Sequence, residues 1–288
     1  ELKFQNSIGI ILLIIFIKLI FQNLLSLRNF SLNKICANYR GKFNDWSQIF
    51  FESLIFNVLV SHTGSVYRAI ETKKRGLEYK KYIGIFYILF TSYILINIMM
   101  VLIELMFFQE VSFQFKINLF FIFLLLSVSI IYAPKIVNIF IKFNFFKKNL
   151  DKFEFIKKII KTYELIFLFI KSQSFLKKII FYLLGYGIVI HFVELYIFYI
   201  SSEIIQPDLT IKTVLILFGL SFILDRIPLI SNIPGINEIL FASISIPLGL
   251  FFYEGLILKL TLRITGIISI FINYLMFYIL NTSNKIKI

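Results

Sequence analysis

The sequence predicts an all-α polytopic membrane protein, with about five full spans and two re-entrant hairpins arranged as an inverted repeat. Three observations lead there. Of the 288 residues, 59% are hydrophobic and 18% aromatic, and the mean hydropathy is +0.86; soluble domains hold only about 45–50% apolar residues. The apolar runs come in two lengths, some near the ~20 residues that cross a bilayer and some clearly shorter. The third observation is the stretch Arg226-Ile-Pro-Leu-Ile-Ser-Asn-Ile-Pro-Gly-Ile-Asn-Glu238, which interrupts one hydrophobic run. Proline removes a backbone donor and blocks helix continuation, while glycine permits backbone that other residues resist. Broken backbone at membrane depth survives only inside protein or beside a water-filled cavity.

The elements follow in order. Residues 7–27 form a first span, interrupted only by Lys18 and Gln22. Residues 28–42 carry Arg28, Lys34, Arg40 and Lys42 without an acid, which marks a cytoplasmic loop. Trp46, Phe50 and Phe51 suit an interfacial belt. Residues 49–60 are apolar but too short to cross, and basic residues stand on both sides (Lys73, Lys74, Arg75, Lys80 and Lys81 after it). This is the first re-entrant hairpin, entering from the cytoplasm, with residues 61–68 at its tip. Residues 82–108 span, a short loop with Glu110 and Lys116 follows, and residues 117–133 return to Pro134.

Residues 135–178 hold eleven Lys/Arg against Asp151, Glu154 and Glu164. Their apolar positions recur at helical spacing, as expected of a basic amphipathic connector on the cytoplasmic surface. Residues 179–201 span outward to an acidic loop at 203–208. Residues 213–224 and 239–253, about 12 and 15 long, are each too short to span and form the second hairpin. Residues 260–280 cross inward, leaving Lys285 and Lys287 in the cytoplasm. The whole is one transmembrane domain: a first half at 7–133, the connector at 134–178 and a second half at 179–280. Because the chain starts at Glu1 and not at Met, its native N-terminus is expected to lie further upstream. Paired interrupted segments in corresponding positions of inverted halves point to a midplane substrate site.

The residues at the two tips resemble motifs of the flippase-like transmembrane region of the lysylphosphatidylglycerol synthetase family. The early motif of that family runs Asn, a few apolar residues, Pro, then Gly-Glu-x-x-Arg-Ala; Asn57, Gly64, Arg68 and Ala69 fit it. Ser61 stands near the place of the proline and Ser65 replaces the acid. The later motif places Glu ten residues after Pro, as in Pro228, Gly235 and Glu238, with Arg263 on the following helix. The acid–Arg pair that follows the first motif in the family is missing, its place being taken by Leu89-Phe-Thr-Ser92. The resemblance covers residues 7–278. It implies binding and translocation of a phospholipid or lipid-linked headgroup, a bacterial cytoplasmic-membrane location, and a span before Glu1.

An ionised group inside hydrocarbon is costly and by default marks function. Asn57, Gly64, Arg68, Pro228, Gly235, Glu238 and Arg263 are therefore the candidate substrate-binding residues. Arg68 and Arg263 suit a lipid phosphate through bidentate charge-assisted bonds. Glu238 either orients them or binds a cationic headgroup; the alternative is a buried Glu238–arginine pair that staples the hairpins together. His191 and Glu194, three apart, suit helix–helix hydrogen bonds better than a metal. Lys18, Glu104 and Glu254 are expected to snorkel toward the interfaces, and Ser231, Asn232 and Asn237 to satisfy backbone groups freed at the break.

The formal charge of +14 clusters beside apolar runs, so it points to anionic headgroups and not to nucleic acid. The single cysteine, Cys36, excludes a disulfide framework. No phosphate-cradling loop occurs, the four Asp residues form no Asp-x-Asp, and two histidines build no Ser-His-Asp site. No cofactor or metal is expected. Two alternatives stay open. One is a membrane transferase acting on a polyprenyl-phosphate carrier, since the family resembles a dolichol hexosyltransferase group. The other is a non-catalytic scaffold for a soluble lipid-modifying enzyme.

Overall fold

Long runs of Ile, Leu and Phe without an interior proline leave the chain one way to satisfy its backbone in lipid, the α-helix. In the computed structural model, residues 2–59, 63–106, 176–225 and 235–286 are described, with isolated positions at 114, 117 and 121. Their helices are α1 (Leu2–Ala37), α2 (Phe43–Leu59), α3 (Thr63–Lys74), α4 (Tyr79–Met106), α5 (Leu176–Ile205), α6 (Ile211–Leu224), α7 (Ile236–Ser245) and α8 (Phe252–Ile286). No strand occurs among the described residues, and none of the five prolines lies inside one of these α-helices. Four helices contain stretches long and apolar enough to cross a membrane: Ile8–Ala37, Tyr79–Glu104, Tyr182–Ile205 and Phe252–Ser283. The chain is thus an all-α membrane protein whose described part runs long helix, helical hairpin, long helix, twice over.

Several boundaries differ from the expected ones, for local reasons. The basic stretch 28–42 is not a loop; α1 continues to Ala37 because nothing between Leu27 and Ala37 breaks a helix. It stops at Asn38, which adopts φ 53°, the left-handed conformation that asparagine tolerates at a helix end. With 36 residues, α1 is about 54 Å long, well beyond the ~30 Å hydrocarbon core. Arg28 is buried and lies over the Tyr93 ring, 5.3 Å from its centroid. The second arm of the later hairpin is also shorter than expected. Pro247 turns α7 into a short 3-10 segment, Ile246–Leu248, and Gly249 at φ 94° reverses the chain. Residues 252–253 therefore belong to α8, not to the hairpin, and α8 begins eight residues before the span expected at 260. The expected span 117–133 (positions 117 and 121 apart), the loop before it (position 114 apart), residues 134–175 of the connector and the residues at both hairpin turns lie outside the described residues, while residues 176–178 of the connector begin α5.

The two halves interlock. Helix α1 packs on α5 and α8, and α2 packs on α8 as well as on α3. Trp46, Phe50, Phe51 and Phe277 form an aromatic core there, with the Phe51 and Phe277 rings stacked at 5.6 Å. Between α1 and α8 runs a polar seam: Gln22 donates to Ser269 Oγ (2.7 Å), Asn23 to Asn273 Oδ1 (2.7 Å), and Asn273 to Gln22 Oε1 (3.1 Å). Apolar burial does not separate helix from lipid, so small residues and interhelical hydrogen bonds hold such contacts.

The first hairpin is closed by one glycine. The Gly64 N–H donates to Asn57 Oδ1 at 2.9 Å. A Cβ at Gly64 would run into the Ser53 carbonyl and stand 2.8 Å from the Asn57 side chain. Replacing Gly64 with alanine is expected to push α3 off α2 and cost about 1–3 kcal/mol, measured as a lowered thermal unfolding midpoint of the detergent-solubilised protein.

Candidate functional site

The site is built around the interruption between α6 and α7. Asp225 caps the C-terminus of α6 and Asn237 and Glu238 lie in the first turn of α7, so the break carries a carboxylate at each end. Across from them, Lys259 and Arg263 stand four apart on α8, which puts both on one face. Lys259 Nζ donates to both Asp225 oxygens (2.9 and 3.0 Å) and to Ser221 Oγ (2.6 Å). Asn237 Nδ2 donates to Asp225 Oδ1 at 2.6 Å, bridging the two ends of the break. Arg263 forms an ion pair with Glu238, whose other oxygen accepts the Gly235 N–H at 2.9 Å. Gly235 adopts φ 91°, a conformation that favours glycine.

These groups line a cavity of about 530 Å³. The first half closes its other side: Lys18 and Gln22 from α1, and Leu54, Asn57, Val58 and Leu59 from the end of α2. Glu194 comes from α5, and Phe21, Phe198, Phe218 and Phe222 supply apolar wall. Three cationic and three anionic side chains thus face one space within an apolar bundle. Lys18 (9% exposed), Lys259 (6%) and Glu238 (3%) are all buried.

The structure brings together some of the expected residues and separates others. Asn57, Glu238 and Arg263 line the cavity, and Gly235 sits at its edge by capping Glu238. Gly64 and Arg68 do not line it. Arg68 points into the α2–α3 packing, where it donates to Ser53 Oγ (2.9 and 2.5 Å) and lies 4.5 Å from the Phe50 ring centroid. Beside it lies a small hole of mixed lining, Asn33, Trp46 and Tyr82 together with Ile85 and Leu89. Pro228 lies outside the described residues, as do Ser231 and Asn232. Glu238 does pair with an arginine, and the pair joins α7 to α8, its own neighbour, instead of one hairpin to the other.

Lys18 does not snorkel. It donates to the Leu262 carbonyl of α8 and faces the cavity, because α1 extends ten residues further than expected and leaves position 18 in its middle. Glu104 also stays inside, 3.0 Å from His191 Nε2, and Glu254 accepts the Phe251 N–H at 2.8 Å to cap α8. Asn237 bonds a carboxylate and not freed backbone. His191 and Glu194 make the expected helix–helix bonds: His191 Nδ1 to Asn97 (2.7 Å), and Glu194 from the Tyr93 hydroxyl. Sequence reasoning missed Asp225, Lys259, Lys18 and Glu194 as cavity residues. The signal for two of them was present, in the i,i+4 pairs Lys18/Gln22 and Lys259/Arg263 on otherwise apolar helices.

No protein-family model, no curated protein and no solved structure matches the chain.

Removing one partner of a buried pair strands the other charge. Arg263→Gln is expected to destabilise the protein by about 1–3 kcal/mol, less than a fully buried pair would, because the Arg263 side chain is 38% exposed. Adding Glu238→Gln should restore part of the loss, as read from unfolding midpoints of the two single variants and the double variant.

Proposed function

We propose that this chain binds a lipid headgroup in the cavity between its two hairpins and moves the lipid between leaflets. One observation carries this reading: six ionisable side chains from α1, α5, α6, α7 and α8 converge on one cavity inside an apolar bundle. Intramembrane charges face substrate pathways by default. A volume of about 530 Å³ falls within the roughly 300–1,000 Å³ of ligand pockets. It suits a headgroup whose acyl chains stay in the bilayer.

The finer architecture belongs to the same proposal. Helices α2–α3 and α6–α7 are re-entrant hairpins, five segments cross the bacterial cytoplasmic membrane with the C-terminus inside, and the halves are inverted. Alternating access then comes from rocking one half against the other around the cavity. The polar α1–α8 seam is the contact that such rocking has to respect. The resemblance to the lysylphosphatidylglycerol synthetase flippase region supports this reading at Asn57, Glu238 and Arg263, which meet at the cavity. Arg68, by contrast, serves the first hairpin's packing.

The test is movement of fluorescent phospholipid in vesicles holding the purified protein. Glu238→Ala, Arg263→Ala and Asn57→Ala are each expected to slow it by about tenfold or more, roughly the loss of one charge-assisted bond, in protein that still elutes as a single species. Arg68→Ala is expected to lower the unfolding midpoint. Wild-type rates in all three cavity variants would sink the site.

A further inference from the structure

The contact between α4 and α5 holds a second set of ionisable groups, apart from the cavity. His191 is fully buried, and both of its ring nitrogens face oxygen. Nδ1 lies 2.7 Å from Asn97 Oδ1, and Nε2 lies 3.0 Å from Glu104 Oε1. None of these three residues lines the cavity. The Asn97 amide cannot be turned round to offer an N–H to the ring. Its Nδ2 donates to the Tyr93 carbonyl at 2.9 Å, and a turned amide would set oxygen against oxygen there. Nδ1 of His191 is therefore the donor in its bond and carries a proton.

The partner of Nε2 settles the charge. A neutral imidazole has one N–H, already placed on Nδ1, so Nε2 would hold a lone pair against the Glu104 carboxylate. Glu104 is poorly placed to be an anion alone. Its side chain is 14% exposed, and its other oxygen, Oε2, is buried and accepts no hydrogen bond among the described residues. A buried carboxylate without a counter-charge is costly. One proton between Nε2 and Oε1 removes both faults. Imidazole is the stronger base of the two, so the proton sits on Nε2, and the pair is an imidazolium beside a carboxylate.

The other charged groups on the neighbouring helices serve other contacts. From α4, Tyr93 donates to Glu194, which stands three residues after His191 on α5. From α6, the Phe218 ring packs 5.4 Å from the imidazole; Lys212 lies in the first turn of that helix, and Asp225 at its end is held by Lys259 and Asn237. From α1 and α8, Lys18, Lys259 and Arg263 face the cavity. Among the described residues, Glu104 is the carboxylate within ion-pair distance of His191.

We infer that His191 and Glu104 form a proton-binding site inside the membrane, and that the proton is the coupling ion for movement of lipid through the cavity. The second half of this inference rests on the lipid-transport reading above; the first does not. A proton taken from water converts a neutral imidazole and a carboxylate, with a single negative charge between them, into a pair of opposite charges with none to spare. Its release to water leaves a lone pair facing a carboxylate, and the two repel. The α4–α5 contact is thus tight with the proton and loosened without it. The Tyr93–Glu194 bond joins the same two helices one turn further along α5, and Glu194 is part of the cavity wall. Loading and unloading the proton therefore acts on a helix from which the cavity is built. Glu and His within membrane helices serve proton relays in pumps and transporters.

Nitrogen NMR of the full chain carrying isotope-labelled histidine reads the site itself. The chain has two histidines, and His62→Gln leaves His191 alone in the spectrum. Two protonated ring nitrogens are expected near neutral pH, and one when Glu104→Gln is added, because a neutral amide gives the imidazolium no counter-charge. A single protonated nitrogen with Glu104 in place overturns the proton site. Two protonated nitrogens in the Glu104→Gln protein overturn the role of Glu104.

Vesicles of phosphatidylethanolamine and phosphatidylglycerol, holding the purified protein and a trace of fluorescent phosphatidylglycerol, read the coupling at zero membrane potential. With one proton carried per lipid, a gradient of about one pH unit should shift the steady leaflet ratio of the probe by up to about tenfold. Reversing the gradient should reverse the shift. His191→Gln and Glu104→Gln should show no shift, and a shift retained in both overturns the pair as the coupling site. A wild type that moves the probe without responding to the gradient overturns the coupling and leaves the lipid-transport reading standing. A wild type that moves no lipid removes that reading and the coupling with it, while the NMR result still decides the proton site. If the two variants fail to fold, the His62→Gln spectrum and the wild-type response to the gradient decide.

Discussion

The arrangement depends on the grip of α8 on the broken segment beside it. Lys259 reaches back to Asp225 at the end of α6, and Arg263 to Glu238 at the start of α7. Without Arg263 the buried Glu238 would lose its counter-charge, a state that costs several kcal/mol, while Asp225, its side chain 45% exposed, is held in place more than it is compensated. The interruption at 226–234 is thus tied at both ends to one long helix. Because Lys259 and Arg263 share a face, they also fix the rotation of α8. That rotation brings Ser269 and Asn273 to face Gln22 and Asn23 of α1.

The polar seam carries the constraint onward to the first half. With α1 locked against α8, Lys18 meets the cavity instead of lipid. Helix α2 packs on the same α8, through the Phe51–Phe277 stack, and so delivers Asn57 to the cavity from the opposite side. Two hairpins far apart in the chain come to share one space because both lean on one helix. The apolar faces that remain, such as Leu12, Phe16 and Ile20 on α1, are exposed as lipid-facing residues should be.

Charge separates the roles of the buried cations. Arg68 resembles Lys259 in being buried, yet it has a hydroxyl and a ring as neighbours, and it belongs to the turn that Gly64 closes. Arginine tolerates such a place because its delocalised charge is weakly hydrated and stacks on aromatic faces. Lys259 has a bidentate carboxylate partner. Lys18 hydrogen-bonds the Leu262 carbonyl and faces the cavity. Three basic residues within the bundle thus serve packing, pairing and the open cavity respectively.

Hydropathy and punctuation made the helices legible in the sequence. Proline and glycine act on their own backbone, so the break between Asp225 and Gly235 and the order of long helix and hairpin were legible, whereas the stop at Pro247 and Gly249 was missed although its signal is as local. The motif residues Asn57, Glu238 and Arg263 were singled out by their resemblance to a family's motifs and by the cost of carrying charge into hydrocarbon. Which charges meet was not legible. Lys18 reads as an ordinary near-interface lysine until the register of α1 against α8 is known, and that register is set by contacts some 250 positions away in the chain. Arg68 reads as a site residue until the α2–α3 crossing turns it inward. Sequence determines where the chain must break and where charge is carried into the bundle. Only the packing of α8 against both halves decided which of those charges share a cavity, because side chains on rigid helices go where the helix rotation takes them.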